Sequence, residues 1–205
     1  MKRRDLLKTG SAAVALSGGF GTLAHAQEET TIEITDMVLG DENAPIEMIE
    51  YASFTCPHCA AFHANVYPKL KADYIDTGKV KFIYREVYFD RFGLWASMIA
   101  RCAGQERFFG LSNLIYENQR DWAASGDPAI VIEELRKLAK TTGLNDAALD
   151  ACMSDADQAE ALVGWYQTNA ERDEVNSTPS FLIDGEKFGN MSYDAFQEIL
   201  DAKLA

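Results

Sequence analysis

The chain has 205 residues, of which 47% are hydrophobic and 25% are charged, an ordinary composition for a soluble globular protein. This length suits one domain, or one domain carrying a large insertion, with a core that does not need disulfides merely to hold it together. The 19 basic and 32 acidic residues give a net charge of −13, which argues against binding to nucleic acid or to an anionic membrane surface.

Residues 1–26 have the three-part pattern of a secretory signal peptide. A basic head is followed by an Ala/Gly-rich apolar stretch over 11–23 and then by the small-x-small cleavage site Ala24-His25-Ala26. The apolar stretch is too short to span a bilayer. We therefore predict export and cleavage near Ala26. Because four basic residues and one acidic residue leave, the net charge would change from −13 to −16.

The segment Arg3-Arg4-Asp5-Leu6-Leu7-Lys8 is similar to the twin-arginine signal, which addresses proteins for export in the folded state. It lacks the Ser or Thr that usually precedes the arginine pair, and Leu6 stands where Phe is common. The twin-arginine route and the general export route therefore both stay open. In either case the destination is an oxidising compartment, where four cysteines favour disulfide chemistry over a metal site.

After this leader the hydrophobic pattern predicts a β-β-α-β order. Two strands are expected, at Ile32–Ile34 and at Ile46–Ala52. A helix follows from about Cys56 to about Tyr74, since Pro57 suits the first helical position. A third strand is expected at Val80–Val87.

A block of helices follows from Leu94, and its tryptophans are expected in its core. Capping residues mark two of these helices, one from Asp127-Pro128 to Gly143 and one from Asn145 to Cys152. A further helix is expected from about Asp157 to Arg172. The tryptophans are Trp95, Trp122 and Trp165.

Strand signals return at Ser180–Ile183. Asp184-Gly185 is a strong hairpin turn that leads to a strand at Glu186–Phe188. Ser192 can cap a last helix. The order after the helical block is therefore β-β-α.

Cys56-Pro57-His58-Cys59 lies at the predicted junction of a strand and a helix. Two cysteines on one helical turn can close a small disulfide or open to a dithiol. The helix N-terminus presents free N–H groups and a partial positive charge, which favour a thiolate at Cys56, and His58 would add to this effect. The pattern therefore predicts a redox pair, and such chemistry needs no organic cofactor.

The same two cysteines could instead be half of a zinc site. His63 lies four residues after Cys59 and would offer a third ligand. A structural zinc site needs four ligands, and the sequence has no second CxxC to complete one. We therefore favour redox chemistry, and for His63 we expect a position on the helix surface or a role in packing.

Two segments together resemble a known family. Glu50-Tyr51-Ala52-Ser53-Phe54-Thr55-Cys56-Pro57-His58-Cys59 resembles the active-site segment of the DsbA-like family of periplasmic disulfide oxidases. Ser177-Thr178-Pro179-Ser180-Phe181 is similar to the cis-proline segment of the thioredoxin superfamily. The resemblance implies an α/β, thioredoxin-like fold, formed by 27–92 and 174–205, with an inserted all-helical domain over 93–173.

The resemblance also implies a role for each matching residue. Cys56 would be the exposed cysteine and Cys59 the partly buried resolving one. Pro179 would be cis, and Thr178, where the best-studied oxidases have Val, would offer backbone hydrogen bonds to a bound peptide. Glu50 would be a buried acid that takes or gives the proton of Cys59. From the residues alone, Pro179 could equally be a trans loop proline and Glu50 a strand residue on a solvated face.

Cys102 and Cys152 lie 50 residues apart in the helical block. The resemblance implies that they form a second, non-catalytic disulfide, whereas two buried free thiols are the alternative. Three aromatic residues could supply apolar surface near the active cysteines or could belong to the core. They are Tyr51, Phe54 and Phe181.

The resemblance implies a thiol–disulfide oxidoreductase of the periplasm that donates disulfide bonds to unfolded or reduced exported polypeptides. It would act as a monomer and be reoxidised by a membrane quinone-linked thiol oxidase. A disulfide isomerase or reductase is the first alternative, although isomerases of this superfamily usually add an N-terminal dimerisation domain, for which the predicted elements leave no room. A metal- or peptide-binding module without turnover is the second.

Overall fold

The computed structural model describes residues 32–205, so the predicted signal peptide and its cleavage site lie outside the described residues. Residues 32–205 contain a five-stranded sheet in the order β1-β3-β2-β4-β5, in which β2 and β3 are parallel and the other neighbours are antiparallel. The strands are β1 Met37–Leu39, β2 Ile46–Ala52, β3 Val80–Glu86, β4 Ser180–Ile183 and β5 Glu186–Phe188.

The helices occupy three places along the chain. Between β2 and β3 lie α1 Pro57–Asn65, α2 Tyr67–Leu70 and a π-helical turn, Lys71–Ile75. Between β3 and β4 lie α3 Arg91–Cys102, α4 Gln105–Glu117, α5 Gln119–Ala123, α6 Pro128–Thr141, α7 Asp146–Met153 and α8 Ala156–Arg172. The last helix, α9, is Tyr193–Leu204. Within the described part of the chain this is the predicted order of elements, and none of these helices is long and apolar enough to cross a membrane.

The prediction of a strand at Ile32–Ile34 was wrong, because the first strand is Met37–Leu39. The register explains the difference. β1 runs antiparallel to β3 with Met37 opposite Tyr84, so residues before 35 would lie beyond Glu86, where β3 ends. Alternating hydrophobicity gives no strand where there is no neighbour to pair with.

The long helix expected from about Cys56 to Tyr74 is interrupted. α1 ends at Asn65, and the chain resumes as α2 after Val66. Pro68 explains the break, because it has no N–H to bond to the carbonyl four residues earlier and its ring crowds that carbonyl.

The sheet order brings two distant segments together. β2 runs at Ala52 into the loop that precedes α1. β4 is antiparallel to β2, with Ser180 opposite Tyr51, so the chain that enters β4 passes beside the end of β2. The segment before Ser180 therefore lies next to the start of α1.

A buried ion pair fixes the first helix of the block on the sheet. The guanidinium of Arg101 in α3 donates from Nε and Nη2 to the two carboxylate oxygens of Glu86, at 2.6 and 2.7 Å. Both side chains are almost fully buried. Two parallel hydrogen bonds also fix the orientation of the planar guanidinium, so this contact holds α3 in one place on β3.

Candidate active site

Cys56 is the N-cap of α1 and Pro57 is its first residue, as the sequence predicts. Proline suits this place because its fixed φ is already helical and the N–H that it lacks would have no partner. Pro57 and His58 are exposed, whereas Cys56 has only 8% of its surface exposed and Cys59 has none. Cys56 is thus the more accessible sulfur of the pair, although it is more buried than expected.

The two thiols of the pair are free and differ strongly in acidity. The pKa of Cys56 is lowered to about 5, chiefly because the Cys59 thiol donates a hydrogen bond to its sulfur. Burial acts in the opposite direction, while Thr178 and the backbone N–H groups of Cys59 and His58 lower the pKa further. Cys56 is therefore a thiolate at neutral pH, which is the nucleophilic and good leaving form of the group.

The pKa of the Cys59 thiol is shifted in the opposite direction. Burial raises the pKa of its thiol far above the ordinary value, and the hydrogen bond to Cys56 and the negative charge of Glu50 raise it further. Cys59 therefore keeps its proton when the pair is reduced. One thiolate and one neutral thiol on the same helical turn let the two sulfurs act in different steps.

The segment before β4 faces Cys56. The carbonyl oxygen of Thr178 lies 3.5 Å from the Cys56 sulfur, and the Thr178–Pro179 peptide bond is cis. Pro179 is buried and Thr178 is half-buried. The structure thus brings together the CxxC loop and the Thr-Pro segment, which are more than 100 residues apart in the chain.

Glu50 lies in the middle of β2 and is fully buried, so a position on a solvated strand face is ruled out. Its carboxylate contacts Nε2 of His63, at 3.0 and 3.2 Å. His63 is also buried, and its ring stacks on Tyr116 with the centroids 4.2 Å apart. The expectation of a surface or merely packing position for His63 therefore missed its pairing with an acidic residue.

The helical block supplies a contact to the active-site loop that the sequence did not predict. The side-chain amide of Gln119, buried in α5, donates hydrogen bonds to the carbonyl oxygens of Phe54 and Cys56, at 2.8 and 2.9 Å. Asp90 makes a second contact, because it caps α3 and accepts a hydrogen bond from the Thr55 hydroxyl at 2.8 Å. A capping pattern could have indicated Asp90, but no local pattern marks Gln119.

The other predicted residues lie in the core or in the helical block. Tyr51, Phe54 and Phe181 are buried, so they belong to the core. Trp122 is fully buried, whereas Trp95 and Trp165 are only half-buried. Cys102 in α3 and Cys152 in α7 form a disulfide. Among residues 32–205 no three His, Cys, Asp or Glu side chains are grouped so as to hold a metal ion.

A mixed sheet, a CxxC pair at the start of its first long helix and a cis-proline opposite that pair define a thioredoxin-like protein. The comparisons agree, because the family model described as Thioredoxin matches residues 32–202. The chain therefore belongs to this family, and its fold is thioredoxin-like with a helical insertion.

Comparison with individual relatives identifies a narrower group within this family. A Rickettsia typhi protein, provisionally named protein-disulfide oxidoreductase, is 31% identical over 88% of this chain and 69% of its own length. A Rickettsia felis protein of the same provisional name is 32% identical over 84% of this chain, and the match spans only 62% of its length. The crystal structure of alpha-DsbA1 from Wolbachia pipientis has a TM-score of 0.76 at 30% identity and covers 84% of this chain and 92% of that one. The chain is a member of the DsbA-like protein-disulfide oxidoreductases.

Proposed function

We propose that the protein is a thiol–disulfide oxidoreductase that donates the Cys56–Cys59 disulfide to other polypeptides. The observation that carries the proposal is the difference in acidity between the two thiols. A thiolate at Cys56 stabilises the reduced pair at neutral pH, and a disulfide whose reduced form is stabilised is a strong oxidant.

The reaction has two exchange steps. A substrate thiolate attacks the Cys56 sulfur, a mixed disulfide forms, and the Cys56–Cys59 bond breaks with its electron pair going to Cys59. The second substrate thiolate then attacks the substrate sulfur of the mixed disulfide and releases Cys56 as a thiolate. The substrate has gained a disulfide and the protein has taken up two electrons.

The neighbouring residues have separate roles in this proposal. Glu50 passes a proton to or from Cys59, whose high pKa requires protonation when its sulfur is released. Thr178 and Pro179 lie beside Cys56 and would hold an extended substrate segment through backbone hydrogen bonds. Pro57 and His58 shape the helix N-terminus that supports the Cys56 thiolate. The Cys102–Cys152 disulfide is structural and takes no part in exchange.

Membership of this family supports a proposal for the cellular setting. The substrates would be unfolded or reduced exported polypeptides, met in the periplasm after a signal peptide is cleaved near Ala26. A membrane quinone-linked thiol oxidase would restore the disulfide. The protein would act as a monomer, since one CxxC pair suffices for disulfide donation.

The experiment mixes the oxidised protein with a reduced peptide that contains two cysteines and follows thiol loss under excess peptide. One peptide disulfide should form for each protein molecule, and Cys56→Ala should abolish the reaction. A protein that leaves the peptide thiols intact would contradict the proposal and would favour a binding module without turnover.

A further inference from the structure

His63 is a buried histidine whose two ring nitrogens have different environments. Nε2 contacts the Glu50 carboxylate at 3.0 and 3.2 Å. Nδ1 is buried and has no hydrogen-bond partner among the described residues. A buried polar atom without a partner costs free energy, so a histidine held in this way invites a functional explanation.

A pocket of about 190 Å³ lies on the outer side of His63. Its lining comes from α1, α2, the start of the π-helical turn and α4, and it includes His63 together with Ala60, Ala64, Lys71, Asn113 and Glu117. The volume is large enough for several water molecules, and its lining includes polar groups to hold them. His63 thus lines this pocket and also contacts Glu50, which is fully buried and is not part of the lining.

Cys59 needs a proton path because it cannot reach solvent directly. It is completely buried, and its high pKa means that it is protonated when the pair is reduced and unprotonated when the pair is a disulfide. One proton must therefore enter in each donation cycle and leave in each reoxidation. Glu50 is close enough for its charge to raise the pKa of Cys59, but Glu50 is itself sealed from water.

We propose that His63 relays protons between Glu50 and the pocket formed by α1, α2 and α4, so that Cys59 exchanges its proton with solvent through this pocket. The inference rests on the proposed function, since only disulfide exchange requires the proton of Cys59 to move. His63 is in this sense a positioning and relay residue rather than a group that touches the reacting sulfurs.

The proton transfers balance both in disulfide donation and in reoxidation. When the Cys56–Cys59 bond breaks, the Cys59 sulfur receives the electron pair and a proton that reaches it through Glu50 from Nε2 of His63. Nδ1 of His63 takes a replacement proton from water in the pocket, and the imidazole is left as its other tautomer. Reoxidation runs the same transfers in reverse and returns the proton to the pocket.

The other ionisable groups around the imidazole do not compete for the proton. Burial raises the pKa of Tyr67, Tyr84 and Tyr116, and the charge of Glu50 raises each of them further. These hydroxyls stay neutral throughout the ordinary pH range. At the pocket, Lys71 and Glu117 carry opposite charges and face solvent-accessible space.

The first test replaces His63 and follows single-turnover oxidation of the dithiol peptide. His63→Gln keeps a polar side chain of similar reach but cannot relay a proton by changing tautomer. We expect oxidation of the peptide to slow by about 10²-fold or more, the range typical for loss of one proton-transfer group. The pKa of Cys56 should stay near the wild-type value, whereas a general distortion of the site would move it.

The second test closes the pocket without touching the imidazole. Ala64 lies in the pocket wall, while Ala61 is an exposed alanine on the same helix outside the wall. Ala64→Phe should slow the reaction and Ala61→Phe should not. Equal rates for the two variants would overturn the pocket as the route.

Chemical rescue separates a relay from simple packing. His63→Ala opens space beside the pocket, and added imidazole should restore part of the rate. Pyrazole has nearly the same shape but is a much weaker base, so it should not restore the rate if proton transfer matters. Equal rescue by both compounds would mean that His63 only fills space, and the relay would be wrong.

Glu50→Gln distinguishes this inference from the proposed function. If Glu50→Gln slows oxidation while His63→Gln and Ala64→Phe do not, then disulfide donation with Glu50 stands and the His63 relay fails. If wild-type protein does not oxidise the peptide at all, the proposed function fails, and the relay that rests on it fails as well.

Discussion

At the scale of single residues, the acidity of Cys56 determines how the protein responds to pH. The pKa of about 5 comes from hydrogen bonds that the folded chain provides, and these are absent from an ordinary thiol with a pKa of ~8.5. Between these two values Cys56 is a thiolate in the folded, reduced protein and would be a protonated thiol in the unfolded chain. The lowered pKa stabilises the reduced fold fully above ~8.5, and this stabilisation is lost as the pH falls to about 5.

The lowered pKa of Cys56 also makes the redox equilibrium with glutathione depend on pH. Oxidation of two glutathione molecules by the protein gives one Cys56 thiolate and therefore releases one proton between pH ~5 and ~8.5. We expect the equilibrium constant to rise about tenfold for each pH unit in this window, so the protein becomes more oxidising relative to glutathione as pH rises. Redox titrations at several pH values check the slope. A constant that does not change with pH would mean that Cys56 keeps its proton.

At the residue scale, the sequence predicted local features of the candidate site, but it did not predict contacts between residues that are distant in the chain. Cys56 and Cys59 follow from the sequence itself, because a helix N-terminus and CxxC spacing are local features. The role of the Thr178-Pro179 segment follows only from the family resemblance. The pairing of Glu50 with His63 depends on how α1 crosses β2, so the histidine alone indicated only packing. Gln119 was missed for the same reason, since a glutamine in a short helix has no local signature.

At the scale of elements, α5 and the loop before α1 are joined by Gln119. Gln119→Ala removes the side-chain amide that donates hydrogen bonds to the carbonyl oxygens of Phe54 and Cys56. Because these buried carbonyls lose a donor, the free energy of unfolding should fall by about 1–3 kcal/mol. Gln119→Glu should cause a similar loss, because a carboxylate cannot donate to either carbonyl. Urea unfolding measures both. Gln167, which is exposed on α8, gives the control, and Gln167→Ala should have little effect.

The Cys102–Cys152 disulfide joins α3 to α7 across 50 residues of chain. A cross-link of this span limits the conformations that the unfolded chain can adopt. The free energy of unfolding of the double variant Cys102→Ala/Cys152→Ala should therefore be lower by roughly 2–4 kcal/mol. The same variant should oxidise the test peptide at the wild-type rate and keep the pKa of Cys56, because we propose that this disulfide takes no part in exchange. Loss of oxidation in a variant that remains folded would mean that this disulfide takes part in exchange.

Elements were predicted best where their ends carry capping residues. Asp127, Asn145 and Ser192 cap α6, α7 and α9 as expected, because a side-chain oxygen that accepts a backbone N–H is a local interaction. The strand at Ile32–Ile34 was wrong because a strand needs a neighbour, and the neighbour is fixed by tertiary structure. The interruption at Val66 was missed although Pro68 is a local signal for it.

At the scale of the whole molecule, the helical block is tied by side-chain contacts to the loop of the candidate active site. Gln119 and Asp90 both bond to the loop that carries Cys56, and Arg101 holds α3 on the sheet. The sequence pattern predicts a block of helices and the family resemblance implies that it is an insertion, but the way the block docks depends on these three side chains. We infer that the block keeps the CxxC loop in one conformation while the sulfurs change partners.

The last prediction concerns whether the whole protein acts as an oxidase or as an isomerase. Disulfide donation needs the oxidised Cys56–Cys59 pair, whereas isomerisation needs a reduced Cys56 that attacks wrong disulfides and a surface that holds the misfolded substrate. A Cys56 pKa of about 5 favours the oxidase, because a stabilised thiolate makes the disulfide more oxidising. We therefore expect a reduction potential nearer ~−120 mV than ~−270 mV. Thr178, which replaces the Val of the best-studied oxidases, is the feature that most favours the isomerase or reductase.

Two measurements on the same preparation decide between these activities. We expect the oxidised protein to introduce disulfides rapidly into a reduced, unfolded test protein, and the reduced protein to unscramble wrong disulfides poorly. Thr178→Val should leave this preference in place, because the Cys59 thiol and not Thr178 makes the largest contribution to the low pKa of Cys56. Efficient unscrambling by the reduced protein, together with a potential near ~−270 mV, would instead show an isomerase or reductase, since a thiol pair that is poorly oxidising remains available to attack existing disulfides.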